Sequence, residues 1–186
     1  MICWRCRERV EGTVCAGCGA VQPPPRDPDL YAVLGLPRRF HLEPTEIETA
    51  WKARSRQVHP DRHVGATAVE RRMALQWTAT LNEARRVLGD PLRRAAYLAT
   101  GRTAVGERGG PPPDPDFLDR VFEWRSRAEA GDPSVSGEAA ALRAVLVDRL
   151  EGVFRAWEDG GGELSEVESI LARIRFLEGF PPPEPG

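Results

Sequence analysis

An all-α fold is predicted for this 186-residue chain: a helical hairpin, then a three-helix bundle, preceded by a small cysteine-rich knuckle. Three observations carry the prediction. Apolar residues recur near the 3.6-residue period of an amphipathic helix in several separate stretches. Clusters of Pro and Gly punctuate those stretches where helices start and stop. All four cysteines fall within the first eighteen residues, apart from the helical stretches.

With 41% hydrophobic and 29% charged residues the chain is long enough for one or two cored domains and a small appendage. No apolar run approaches the roughly 20 residues needed to span a bilayer. The N-terminus has neither an apolar h-region nor an Arg-rich amphipathic presequence, so a soluble, cytoplasmic protein without a membrane partner is expected. Residues 1–110 hold 18 Lys or Arg against 12 Asp or Glu, and residues 111–186 hold 8 against 16. A basic first half suits nucleic acid or an acidic protein surface, but charge alone mainly describes solvated faces and encounter rates.

Residues 1–22 contain Cys3, Cys6, Cys15 and Cys18, two CxxC pairs separated by eight residues. Each CxxC lets one short turn aim two thiolates at a common ion, and two such turns complete a closed tetrahedral site of the kind that holds zinc. Disulfides would need an oxidising compartment, and thioredoxin-like redox chemistry would need a βαβ context that is absent. One structural zinc ion is therefore expected. So short a segment has almost no apolar core, so the metal should supply its folding energy, on the order of 10–16 kcal/mol in comparable peptides. A closed site has no open coordination position for catalysis, and Trp4 is read as packing. Residues 23–28, rich in proline, are an extended, semi-rigid spacer.

Residues 29–101 read as four helices. Leu30, Tyr31, Val33 and Leu34 form a brief one ending at Gly35. A longer one starts near Pro44 with Glu46 in its first turn and must end before Pro60. Its stripe is Ile47, Ala50, Trp51, Arg54 and Val58; either Arg54 snorkels from the helix edge or the helix is rotated slightly from this template. The third helix runs from about Ala66 to Leu88 with Val69, Met73, Trp77, Leu81, Ala84 and Leu88 in its stripe. Gly89 stops it, and Pro91 opens a fourth that Gly101 closes.

Between the two long helices lies His59-Pro60-Asp61. A given tripeptide occurs by chance roughly once in 10⁴ positions, so its flanks give it meaning. Pro60 disfavours helix at His59 and removes a backbone donor, which leaves His59 and Asp61 as a presented pair. Lys52, Arg56 and Arg62 join them in a basic surface suited to an acidic partner, their charges setting encounter rate and orientation. His41 and His63 are assigned no role.

Short helix, long basic helix, His-Pro-Asp loop, long antiparallel helix and short fourth helix together resemble a J-domain. The stretches LYAVLGLPRRFHLEPTEIETAW and QWTATLNEARRVLGDPLRRAAYL are similar to the HscB-type co-chaperones of iron-sulfur cluster assembly. Some members carry an N-terminal knob with two CxxC pairs, so the resemblance spans nearly the whole chain. It implies that His59, Pro60 and Asp61 stimulate ATP hydrolysis by a chaperone of the DnaK or HscA class. The chain itself is then a regulator and not an enzyme. Arg54 stands where leucine is usual in that family.

After a Gly- and Pro-rich connection at 102–115, residues 116–180 read as a compact three-helix bundle. Its stripes are Phe117, Val121, Trp124 and Ala128; Leu142, Leu146, Leu150, Val153 and Trp157; and Leu164, Val167, Leu171 and Ile174. At about 100° per residue, Leu118 and Phe122 fall to one side of the first stripe and Phe176 nearly opposite the third. Together, with charged neighbours such as Glu123, they form a candidate interaction patch. FLDRVFEWR and RIRFLEGF are similar to the HscB segments that grip an IscU-type scaffold. The resemblance makes Leu118, Phe122, Glu123 and Phe176 the scaffold contacts. The tail at 181–186 has no core to join.

A general J-protein with another client is the competing reading. A zinc-dependent nucleic-acid-binding protein is a weaker one, because the cysteine segment has few basic residues and no aromatic ladder for stacking bases. No nucleophile, paired carboxylates or Gly-rich phosphate loop supports an enzyme.

Overall fold

The computed structural model describes residues 1–58, 67–103 and 112–180. Among them are seven α-helices and, apart from isolated bridges in the cysteine segment, no strand pairing. The chain divides into two compact units, Met1–Arg94 and Ala95–Gly186.

In the first unit, α1 (Leu30–Leu34) is only five residues long, too short to persist without help at its ends. Asp29 supplies that help by accepting from the amides of Tyr31 and Ala32. At the other end Gly35, with φ 74°, turns the chain so that its N–H and that of Leu36 reach the carbonyls of Ala32 and Tyr31. The buried face of Leu30, Tyr31, Val33 and Leu34 lies against the hairpin of α2 (Pro44–Val58) and α3 (Ala68–Gly89).

Arg54 does not lie at the helix edge. Ile47, Arg54 and Val58 fall within about 40° of one another around α2 at about 100° per residue, so the arginine occupies the stripe itself. Its guanidinium extends to the C-terminal end of α1: a Cβ added at Gly35 would lie 2.5 Å from Arg54 Nη2. A cation there faces the partly negative end of a helix.

The stripe of α3 differs from the expected one at its start. Val69 is 46% exposed, and Glu70 is buried in its place. The reason is a capping box: Thr67 Oγ1 accepts from the Glu70 amide, and the Glu70 carboxylate accepts from the Thr67 amide at 2.9 Å. From Ala74 onward the buried line runs through Trp77, Leu81, Ala84 and Leu88 as the periodicity predicts. Across the hairpin, Trp51 Nε1 donates to Asn82 Oδ1 at 3.1 Å, and Arg85, ion-paired with Glu48, lies over the Trp51 ring. Asp90 caps α4 (Pro91–Thr100), within which the two units divide.

The second unit holds α5 (Pro115–Glu129), α6 (Ser134–Glu158) and α7 (Val167–Leu177). Phe117, Val121 and Trp124 of α5 are buried as expected, but Ala128 is exposed, because the stripe has left the core by the last turn. α6 begins earlier than its stripe suggested and adds Val135 and Ala139 to the core, while Leu142 and Trp157 are only half-buried. Phe154, outside the expected stripe, is fully buried. Leu164 precedes α7 in the connecting turn.

Asp114 pairs with Arg173 at 2.6 Å, Phe117 meets Phe176 edge to face, and Trp124 meets Phe180 the same way. These contacts advance along both chains together, so α5 and α7 run side by side in one direction.

Candidate functional site

The cysteine knob is one turn built twice. Twelve residues separate Cys3 from Cys15, Cys6 from Cys18 and Arg7 from Gly19, and the hydrogen bonds repeat with the same offset. Arg7 N–H donates to Cys3 O at 3.0 Å and Gly19 N–H to Cys15 O at 2.9 Å; Cys3 N–H donates to Glu8 O at 2.8 Å and Cys15 N–H to Ala20 O at 2.9 Å. Antiparallel bridges join Ile2 to Arg9 and Val14 to Val21. Each turn closes on a residue of positive φ, 64° at Arg7 and 70° at Gly19.

The result is four sulfurs all within 4.8 Å of one another. Cys3 Sγ is 3.7 Å from Cys18 Sγ, and Cys6 Sγ is 3.6 Å from Cys15 Sγ. Tetrahedral zinc with Zn–S bonds of about 2.3 Å requires sulfurs about 3.8 Å apart, so the set fits a closed four-thiolate site. The amides of Arg5 and Cys6 point at Cys3 Sγ at 3.4 and 3.5 Å, which favours a thiolate.

Protonation without a cation shows what a bound cation would change. Burial works against the Cys3 thiolate, but the amides of Cys6 and Arg5 and the neighbouring thiols outweigh it and bring the group down to about 6. The backbone of Glu8 favours the Cys6 thiolate, yet burial and the three other thiols push that group up to about 12. A backbone bond from Ala20 favours the Cys18 thiolate, as does the Cys6 thiol, yet burial and the thiols of Cys3 and Cys15 raise that group. The Cys3 thiolate is stabilised while the Cys6 and Cys18 thiols resist ionising, and a bound dication would favour the thiolate form of its ligands.

Gln22 joins this knob to the helices. It is fully buried. Its Nε2 donates to Cys3 Sγ at 3.4 Å and Ala20 O at 2.8 Å, its Oε1 accepts from the Trp4 amide, and its carbonyl accepts from Trp77 Nε1 at 2.7 Å. Trp4 Nε1 bonds Val21 O at 2.7 Å, so Trp4, 41% exposed, is anchored at its polar edge. Arg5 reaches Glu70 at 3.4 Å. Sequence reasoning missed Gln22; its one signal is a polar residue twelve positions after Val10, where the repeat asks for an apolar one.

Lys52 and Arg56 stand one helical turn apart on the exposed surface of α2. His59, Pro60, Asp61 and Arg62 lie outside the described residues, as does His63.

In the second unit Leu118 is half-buried, Phe122 is 77% exposed, and Glu123 follows it on the surface of α5. Leu118 and Phe122, four residues apart, share one face. Phe176 is 36% exposed, and its edge-to-face packing on Phe117, 6.4 Å between ring centroids, brings it beside α5. Burying an aromatic or aliphatic side chain is worth about 1.5–3 kcal/mol, which a partner covering Phe122 would recover.

Residues 29–97 match the DnaJ domain family. The co-chaperone protein HscB homolog of Bordetella pertussis (strain Tohama I) is 43% identical over 156 residues, 81% of this chain and 90% of that protein. The homolog of Paraburkholderia phymatum is 38% identical over 155 residues, 80% of this chain and 87% of that protein. The crystal structure of human co-chaperone protein HscB covers 96% of this chain and 93% of its own with a TM-score of 0.75; at 23% identity that is a likeness of fold. Chaperone HscB from Vibrio cholerae overlays with a TM-score of 0.62, over 81% of this chain and 91% of its own, at 25% identity. Shared helices, a shared DnaJ domain and identity along four fifths of its length make this chain a member of the HscB family of J-domain co-chaperones.

Proposed function

We propose that this co-chaperone couples an iron-sulfur scaffold to an ATP-hydrolysing chaperone. His59, Pro60 and Asp61, with Lys52, Arg56 and Arg62 around them, contact a chaperone of the DnaK or HscA class and stimulate its ATPase. Leu118, Phe122, Glu123 and Phe176 hold an IscU-type scaffold. The cysteine knob carries one structural zinc ion on Cys3, Cys6, Cys15 and Cys18, and the cytoplasm is the proposed setting. Hydrolysis belongs to the chaperone; the work of this chain is recognition at two surfaces.

The observation that supports this reading best is that a DnaJ-domain match spanning 29–97 includes the His-Pro-Asp tripeptide, while identity to HscB homologs continues well beyond it. A chain sharing only a J-domain with its relatives would leave the client open. Here the second unit also presents an unusually exposed phenylalanine, Phe122, beside half-buried Leu118, with Phe176 packed next to the same helix. Apolar surface of that kind with charged neighbours suits a protein partner.

The two surfaces are tested separately. His59→Gln should abolish stimulation of the cognate chaperone in single-turnover ATPase assays, with helix content unchanged by circular dichroism; undiminished stimulation would refute the chaperone assignment. Phe122→Ala combined with Phe176→Ala should remove scaffold binding by calorimetric titration, each truncation losing on the order of 1 kcal/mol or more at an interface anchor. Wild-type affinity in that variant would exclude the scaffold assignment. Metal analysis under reducing conditions should return one zinc per chain.

A further inference from the structure

The contacts between the cysteine knob and α3 have no role in the reading above. Gln22 occupies the centre of the junction: fully buried, it has one side-chain nitrogen on Cys3 Sγ and its carbonyl on the indole N–H of buried Trp77. A second contact is charged. Arg5, between the two cysteines of the first CxxC, reaches Glu70 Oε1 at 3.4 Å. Glu70 is the residue that folds back on Thr67 to cap α3, through its amide at 2.9 Å and its hydroxyl at 3.0 Å.

A segment of 22 residues whose apolar core is Cys3, Val10, Cys15 and Ala20 cannot hold these positions unaided. Its hydrogen bonds to α3 start from Arg5, inside the first cysteine turn, and from Gln22, whose side chain bonds Cys3 Sγ. Closing the two cysteine turns is what a metal ion does.

We propose that metal occupancy of the knob sets the order of the first three turns of α3, with Gln22–Trp77 and Arg5–Glu70 as the connecting contacts. The metal thereby acts on the helix that follows directly, in sequence, from the segment carrying His59, Pro60 and Asp61. Loss of metal releases Arg5 and the Gln22 carbonyl, takes the Arg5 contact from Glu70, and removes the acceptor of the Trp77 indole. The proposal rests on the knob being a metal site. The experiment separates the two claims.

Amide hydrogen exchange is measured by mass spectrometry on the full chain, metal-loaded and after stripping with a chelator under reducing conditions, with metal content determined on the same samples. Stripping should accelerate exchange in peptides covering residues 70–77 by roughly tenfold, the scale of losing one or two hydrogen bonds, while peptides in α6 are unchanged. In Arg5→Ala combined with Trp77→Phe, which keeps all four cysteines, metal should remain at wild-type stoichiometry. Residues 70–77 should already exchange fast there, and stripping should add nothing. Metal-loaded wild type whose exchange at 70–77 is indifferent to stripping overturns the coupling and leaves the metal site standing. So does an equal response in the double variant, or an acceleration spread over the whole chain. A chain that takes up no zinc overturns the site itself.

Discussion

Arg7 and Gly19 hold the same place in the two cysteine turns, with φ of 64° and 70°, yet only one of them is a residue suited to it. The left-handed conformation costs a side-chain-bearing residue on the order of 1–2 kcal/mol and glycine almost nothing. Arg7→Gly should therefore raise the affinity of the knob for zinc, and Gly19→Ala should lower it, each by up to about tenfold, since about 1.4 kcal/mol is a factor of ten. Competition against a metallochromic chelator measures both; equal affinities in the two variants would contradict the strain argument. Gly35 is constrained twice, by φ 74° and by the Arg54 guanidinium that occupies the space of a Cβ. That explains an arginine inside an apolar stripe: its guanidinium reaches the end of α1.

At the scale of single elements, the helices begin where polar groups allow and not always where apolar spacing starts. α3 opens with Glu70 buried and Val69 exposed because two backbone donors at Thr67 and Glu70 need acceptors. α6 opens eight residues before Leu142, and Pro133, at its N-cap position, makes no side-chain cap. Asp132 stands in: it accepts from the amide and hydroxyl of Ser134 and pairs with Arg127, which also binds Glu138, the acceptor of Trp124 Nε1. Those bonds, Ser134 foremost, hold the Asp132 carboxyl down to about 2. Its folded value lies below the unfolded one, so its contribution to stability is full above about pH 4 and fades as pH falls through about 2. In Asp132→Asn the urea midpoint at pH 5 should drop, and its difference from wild type should shrink steadily toward pH 2. A difference independent of pH would place the effect in packing instead.

At the scale of the whole molecule, the two units draw on different sources of stability. Met1–Arg94 combines a four-cysteine knob with a helical core, whereas Ala95–Gly186 relies on buried side chains such as Val135, Leu150, Phe154 and Ile174. A chelator should lower the transition temperature of the first unit in scanning calorimetry and leave that of the second unchanged; a joint shift of both would show one cooperative block. Most of the architecture was legible in the chain. Fixed CxxC spacing, caps made of Pro and Gly, and 3.6-residue stripes are local properties, each read within a dozen residues, and they sufficed for the cysteine cluster, the hairpin and the order of the helices. The exposed Phe122 was equally legible, since its angle on α5 follows from its number. What only the tertiary structure decided were pairings between residues far apart in sequence. Gln22 with Cys3 and Trp77, Arg5 with Glu70, Arg54 with Gly35, and Phe117 with Phe176 join segments that carry no common pattern. Periodicity tells which face of a helix is buried, because burial depends on angle along one helix. Which atom it is buried against depends on how two helices pack, and that is set by all the side chains at the contact together.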